Sequence, residues 1–594
     1  MKRVGVQMVV NWPITFTARG TQLSVSLGDV ELAAIHEVMH MQPGQAAGRG
    51  EIREAEVEHL PAMPLYGDLA DGVFDVRDIG VFSDVYATGA IDEGSTRFEV
   101  EQVSERTKAY LKVGDKIIIG AGSEAGQGQR GTAGVGGTWP RKAYPDKAAM
   151  DADTEQENNL FAFTEDDGQV YQWNGSDEWR RQGRYYTEIV VPRGLQGRVV
   201  AIAPDWSWIE LDEPAQAAAT DARLVQDAQD KIQPFTKMNG LRGQFMDAYT
   251  LVFQEGSYAM GWQLELNGTD DWHVRGAGRE KTRIYSPDGI RSMTLYINGS
   301  QNVEVSDFWM QGNARAHGYA CAWSETRQPR GHSYPNGVLY RQSHGGRAHD
   351  LIVSDVFQKA VGTERSNDVW ADRVDCIMAD GLFSYVQWMF QWADAKGGGA
   401  RDCRILSRTM VAGFECFKGQ NVSFIDCYGL NASSAVNTGG GFVFKNVTLE
   451  IEENSGSRGF SFRNPLLNIN VNVGDLPYVK DGGLLENVHF IQHGPIDEEG
   501  NVLCGVTTTP SFENIRVIGG GFSAPDGGGK ALELKGRNHL IDGFEATNRS
   551  VLNISISDGT IRNTVASVIQ VGPDVIVENV RTPDGGEPEV RRRD

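Results

Sequence analysis

The sequence predicts an all-β protein whose larger part is a stack of short parallel coils, and three features predict it. A six-residue phrase (Asn or Asp, apolar, any, apolar, any, Asp or Asn) recurs through residues 300–580. Neighbouring copies are often separated by a step in the mid-twenties of residues: Asp402 to Asp426 is 24, Asn421 to Asn446 is 25 and Asn487 to Asn514 is 27. The 71 glycines are scattered among short apolar runs without a three-residue period, the pattern of many turns joining many short strands and not of collagen. The phrase reads NVEVSD at 302–307, DLIVSD at 350–355 and NVSFID at 421–426, with looser copies such as DVWADR at 368–373, DCRILS at 402–407 and VIVENV at 575–580. One coil cannot bury its apolar face alone, whereas stacked coils can, and stacking in register pairs each strand above and below so that edges remain only at the two ends. Val, Ile, Leu and Phe are the expected inward residues, corner asparagines are expected to donate to one another in a ladder, and the long step from Asp307 to Asp355 marks a loop thrown out of the stack.

Ahead of the repeats the chain divides into segments. Residues 1–70 form an N-terminal segment of their own, in which 21–43 alternates apolar and polar at first, as strands do, its later part also fits a short helix, and 43–64 reads as linker. Residues 71–218 read as a β-rich neck. It opens on GVFDVRDIG at 72–80, carries a glycine-rich loop at 120–137, and holds a small module at 138–179 whose Asp167-Gly168 and Asn174-Gly175 pairs mark hairpin turns. From Ala219 to Pro234 the spacing predicts one amphipathic helix, capped by Thr220 or Asp221, with Leu224, Val225, Ala228 and Ile232 on one face and Pro234 as its stop. Such a helix would cover the open apolar end of a coil stack. The coils then run to 580, and 581–594 reads as a loose tail.

Residues 251–286 carry a resemblance. A strand leading to Gly256 and Tyr258, then Gly276, Gly278 and Thr282 before the next strand, is similar to the first coils of the pectate-lyase-like superfamily. Gly276-Ala277-Gly278 is read as a turn and not as a dinucleotide cradle, because no helix follows it. The resemblance covers 219–580 and part of 72–80, and implies a right-handed parallel β-helix. Together with the separate N-terminal segment, the inserts and the acidic charge, the chain resembles a phage tailspike or polysaccharide depolymerase. That resemblance implies a homotrimer that binds a bacterial surface polysaccharide, docks to a phage tail or baseplate protein through residues 1–70, and is made in the host cytoplasm.

Composition narrows the partners. Lys and Arg total 56 against 79 Asp and Glu, a net charge of −23, so neither duplex DNA nor an anionic membrane surface is an expected partner. No run of eighteen apolar residues is present to insert into a membrane, and the stretch after Lys2 and Arg3 is too short and polar for a secretory signal. Six cysteines without a CxxC pair read as buried free thiols, with Cys376, Cys403 and Cys427 placed to stack inside the coils. No cofactor and no metal site is expected.

Fold does not fix function, so the chemistry is sought in residues. Glycoside cleavage needs two carboxyl groups flanking the scissile bond, and 363–394 is the stretch richest in carboxylates and aromatics. Asp372 and Asp380 are the expected catalytic pair, with Glu364 and Glu415 in reserve. Trp370, Tyr385, Trp388 and Trp392 are expected to stack on sugar, because alternating aromatics on a strand cannot all point inward, and Arg365 and Arg373 to bind it. A lyase would instead draw on Arg365, Arg373, His344, Arg347 and Tyr385, a weaker reading in an acidic chain with 11 histidines. His36-Glu37-Val38-Met39-His40 matches the zinc-protease pattern, but too little chain surrounds it for a protease domain, and it is read as part of an attachment segment. The competing readings are a glycan-binding adhesin without activity and a cellular polysaccharide lyase or epimerase.

Overall fold

The computed structural model describes residues 13–18, 21–26, 73–120, 129–131, 142–153, 161–164, 169–173, 179–184, 189–191, 195–215, 218–243, 249–287, 295–312, 337–354, 356, 359–378, 389–437, 439–453, 455, 465–470, 481–495, 502–525, 529–548 and 552–593. The repeats wind into a right-handed parallel β-helix with three strands per coil, each hydrogen-bonded in parallel to its counterparts in the neighbouring coils. Sheet A holds Leu264–Asn267, Leu295–Asn298, Val338–Arg341, Val361–Glu364, Phe390–Ala393 and the last residues of Arg404–Phe417 and Tyr428–Asn437. Sheet B starts with Val73–Asp75 beside Thr250–Val252 and continues through His273–Arg275, Glu304–Ser306, the start of Arg347–Ser354 and of Trp370–Met378, Gly399–Arg401 and Ser423–Ile425. Sheet C begins with Gly256–Ala259, Thr282–Tyr285 and Trp309–Gln311. Inward residues merge into one apolar core from Phe74 to Val575, with aromatic runs such as Trp392, Phe424 and Phe444.

The corners explain the recurring phrase. Asn302 and Asp307, or Asn421 and Asp426, bracket one strand of sheet B, and all four adopt positive φ between 52° and 65°. Asn and Asp tolerate this left-handed bend better than other side-chain-bearing residues. Their amides form the expected ladders: Asn446 Nδ2 donates to Asp426 Oδ1 at 2.8 Å and Asn487 Nδ2 to Asn446 Oδ1 at 3.0 Å, while Asn302 Nδ2 donates to Asp271 Oδ1 at 2.9 Å at the other corner. Where that second corner carries Gly345, Gly397 or Gly441, an added Cβ would lie 2.2–2.3 Å from the side-chain oxygen of Asn302, Asp368 or Asn421 in the preceding coil.

Four expectations need correction. DLIVSD is one strand out of phase: Ser306 pairs with His349, so Asp350, and not Asp355, is the counterpart of Asp307. Residues 581–594 are not all loose, because Glu589–Arg592 adds a last parallel strand against Val568–Val571. Ala219–Gln226 is a strand, and the helix occupies Ala228–Gly243 with Pro234 inside it. That strand completes a closed six-stranded antiparallel barrel with Tyr86–Ile91, Arg97–Val103, Lys116–Gly120, Leu195–Ile202 and Trp208–Leu211. Leu224 faces the barrel core while Val225 packs with Ile118 and Ala259 at the first coil, so the apolar residues that mimic a helical face serve two sides of a strand. The cysteines stack only in part. Cys403 and Cys427 hold equivalent corner positions, and Cys376 pairs instead with Ile405.

In the module, Phe161–Thr164, Gln169–Trp173 and Trp179–Arg184 form adjacent antiparallel strands. Pro13–Ala18 and Thr21–Ser26 make a hairpin, while His36 to His40 lie outside the described residues.

The corner ladder yields a test. Asn446→Ala loses two side-chain hydrogen bonds and forces an L residue into a left-handed corner, whereas Asn446→Gly relieves the backbone but not the ladder. Thermal unfolding should rank wild type above Asn446→Gly above Asn446→Ala, with about 1 kcal/mol for each exposed ladder bond as the upper scale.

Candidate functional site

The outer face of sheet A carries a buried carboxyl group held near neutrality. Phe414 and Cys416 point into the core, so Glu415 between them points outward. It is nevertheless 2% exposed. Asn437 Nδ2 donates to its Oε1 at 2.5 Å and Gln391 Nε2 to its Oε2, so that amides reach it from the coils on both sides. Burial pushes the Glu415 carboxyl up to about 7, against the pull of those two amides and of the Lys359 charge.

A second carboxylate belongs to the same face. Glu364 lies in the strand aligned through Phe390–Ala393 with the one bearing Glu415, two rungs away. Lys359 Nζ lies 3.2 Å from Glu364 and Arg341 Nε lies 3.9 Å from it, with Arg341 also donating to the Tyr296 hydroxyl at 3.3 Å. Gly362 makes room for the lysine: a Cβ there would meet Lys359 Cδ at 2.5 Å. The result is one polar strip, Tyr296–Arg341–Glu364–Lys359–Gln391–Glu415–Asn437. Of it, only Glu364 and Glu415 were expected. Gln391 was legible as the outward residue 24 positions before Glu415, but Lys359 was not, because it projects from a corner and has no place in the strand alternation.

The other expected residues go elsewhere. Asp372 is on sheet B, buried between Arg347 at 2.5 Å and Arg401 at 3.2 Å, so it does not share a face with Glu364 and Glu415. Trp370 is half-buried beside it, with the Arg401 guanidinium 3.7 Å above its ring. Arg373 sits at a left-handed corner in a two-pronged ion pair with Asp350 at 2.7 and 2.6 Å, and Arg365 is exposed at another corner with φ 53°. Trp392 does not face sugar: it is fully buried and donates to the Val369 carbonyl at 3.0 Å. The reason is parity, since Phe390 and Trp392 are two residues apart and therefore share the inward face. Asp380, Tyr385 and Trp388 lie outside the described residues.

No protein-family model and no curated protein matches the chain. Solved structures align loosely. The ORF18 protein of Geobacillus virus E2 is 11% identical over 68% of this chain and 72% of its own, with a TM-score of 0.35. The A-module of a mannuronan C-5 epimerase from Azotobacter vinelandii is 10% identical over 62% and 96%, with a TM-score of 0.35. An endo-xylogalacturonan hydrolase from Aspergillus tubingensis is 11% identical over 61% and 91%, with a TM-score of 0.32. Likeness at this level carries no activity across; the β-helix itself is read from the strand pairing.

A raised carboxyl has a definite signature in stability. Glu415 binds its proton more tightly folded than unfolded, so its contribution is fully present below the ordinary glutamate value and is lost as pH rises towards 7. The loss is on the order of 3 kcal/mol from the shift alone. Glu415→Gln should flatten the fall in unfolding free energy between about pH 4.5 and pH 7.5 relative to wild type, and an unchanged slope would show that Glu415 does not titrate there.

Proposed function

We propose that the chain cleaves a polysaccharide by glycoside hydrolysis on the outer wall of sheet A, with Glu415 as general acid and Glu364 as the base that activates water. The observation that carries this is the Glu415 carboxyl, outward-facing and poised near neutrality on the same sheet face as a second carboxylate flanked by two cations. Two carboxyl groups in unlike environments are what acid and base roles require. Two rungs separate them, about 10 Å along the stack. That is wider than the roughly 5 Å of a retaining pair, and Glu364 is also displaced two residues along the strand, so the two side chains must lean together to reach the roughly 6.5–9.5 Å of an inverting pair. Transfer of the proton to the glycosidic oxygen requires the amide of Gln391 or Asn437 to give up one Glu415 oxygen when sugar binds.

The occupied state of both Glu415 oxygens favours a second reading, a spike that holds glycan without cutting it. In either form the proposal places the chain on a phage tail as a homotrimer, bound to the particle through residues 1–70 and to a bacterial surface polysaccharide through the coils. The segment ahead of the barrel supports this setting, since a cellular lyase or epimerase has no need of it.

Incubated with purified capsular, exopolysaccharide or lipopolysaccharide chains, the protein should shorten them and release new reducing ends without the ultraviolet absorbance of unsaturated sugars. Glu415→Gln and Glu364→Gln should each lower the rate by 10²–10⁴, on the scale of general acid–base catalysis. Binding without shortening would select the adhesin, and absorbing ends a lyase. Deleting residues 1–70 should abolish incorporation into particles and leave cutting intact; an undiminished particle load would remove the docking role.

A further inference from the structure

The geometry points to a binding site for a first-row transition dication of the Zn²⁺ class on the outer face of sheet B, built by His273, Glu304 and His349. The three come from successive coils. His273 and Glu304 are ladder partners, and Ser306, two residues after Glu304, is the partner of His349. One ligand atom from each lies within 4.8 Å of the others. A tetrahedral Zn²⁺ with bonds of about 2.0–2.1 Å holds its ligand atoms about 3.3 Å apart, so small side-chain rotations close the triangle. Two imidazoles and one carboxylate are a known zinc set that leaves a fourth position for water or a ligand oxygen.

The hydrogen bonds around the triangle favour a cation over a chance cluster. His349 Nδ1 faces Asp350 Oδ2 at 2.7 Å, and that carboxylate is fixed by the Arg373 fork. Asp350 can only accept from the ring, so Nδ1 carries the proton, and the other nitrogen, Nε2, points at Glu304 Oε1. A lone pair facing a carboxylate oxygen is repulsive. The direct contact is relieved either by a second proton between the two atoms or by their separation to about 3.3 Å around a cation.

His273 is oriented in the same way from its other side. Ser306 Oγ donates to Asp307 Oδ2 at 2.7 Å and therefore accepts from His273 Nε2 at 2.9 Å, which leaves Nδ1 with the lone pair. Both histidines thus have their tautomers set by outer hydrogen-bond partners, the arrangement that prepares imidazoles for a metal. Nearby cations do not compete for the space: Arg347 is drawn to Asp372 and Arg373 to Asp350, and Arg275 is exposed, where water screens it.

The test uses the full-length chain, stripped with a chelator and titrated with Zn²⁺ against a chromophoric competitor, then with Co²⁺ to read visible absorption bands. Wild type should bind one equivalent at this site and gain thermal stability in Zn²⁺ by mass action. His273→Gln and His349→Gln should each weaken binding by at least 100-fold while keeping the β-sheet circular dichroism of wild type, and Asp350→Asn should weaken it by about 10–100-fold. The double variant His36→Gln/His40→Gln, which removes the zinc-like pattern in the N-terminal segment, should leave this equivalent in place. Absence of saturable binding overturns the site, as does binding that survives His273→Gln and is lost in the His36/His40 variant.

Discussion

Register between coils is the constraint on which the rest of this molecule depends. A strand here has no partner within its own coil; its hydrogen bonds go to the coils above and below. Slippage by one residue would turn every inward side chain outward. What fixes register is the pair of left-handed corners bracketing sheet B strands such as Glu304–Ser306 and Ser423–Ile425, where Asn, Asp or Gly usually takes the bend (Arg373 is an exception) and the amides tie one corner to the next. The spacing across the A-to-B corner is equal in five successive coils, Asn298 to Glu304, Arg341 to Arg347, Glu364 to Trp370, Ala393 to Gly399 and Phe417 to Ser423, and lengthens only later, between Asn470 and Leu484. Extra chain is admitted at the corner between sheets C and A, as between Gln311 and Val338 or Met378 and Phe390.

Fixed register turns outward residues into columns about 4.8 Å apart, so neighbours in space are a whole coil apart in sequence. Each carboxylate takes its character from the column it stands in. Glu415 has amides from Gln391 and Asn437 and the lysine charge only at a distance, so burial dominates and its proton is held. Asp372 has a guanidinium above and another below, Arg347 and Arg401, and is locked as an ion pair. Both are nearly inaccessible, yet the first is held by amides and the second by guanidinium groups. Net charge does not foresee this difference, because it arises from which residue each coil places at one column position.

What was legible in the sequence follows from the same geometry. Corners and inward residues obey local rules, so the phrase, its step and the coil stack could be read directly. Phase could not: each coil has two left-handed corners, Asp suits both, and DLIVSD fits either until pairing decides. Helical spacing at 219–234 was real, but closing the barrel outweighs it, since Ala222 and Leu224 fill the barrel core while Val225 seals the joint to the first coil. Glu415 was visible only as a charge in an apolar strand. Its hydrogen-bond partners lie 24 residues before and 22 after it, and the burial that raises its proton affinity against them is a property of three coils together.

The two ends of the stack solve the open-edge problem by different means. At the start, Ala228 and Ile232 of the helix join the apolar core, and the barrel is held onto that helix by Asp115–Lys231 at 2.6 Å, Arg198–Asp230 at 3.0 Å and Lys116–Asp227 at 3.6 Å. Asp227 is buried deeply enough that its carboxyl is pushed above the usual range, a cost accepted where it also receives the Gly261 and Gln229 amides. At the far end no such lid is formed by the described residues, and the last strand, Glu589–Arg592, is exposed along its length. Its defence is charge: Glu589 and Arg591 form an exposed pair at 2.7 Å and Arg592 follows. A further strand seeking that edge would have to desolvate these charges, which disfavours end-to-end addition of another stack. An apolar lid on one end rung and a charged exposed strand on the other are thus two different ways of treating unsatisfied backbone edges.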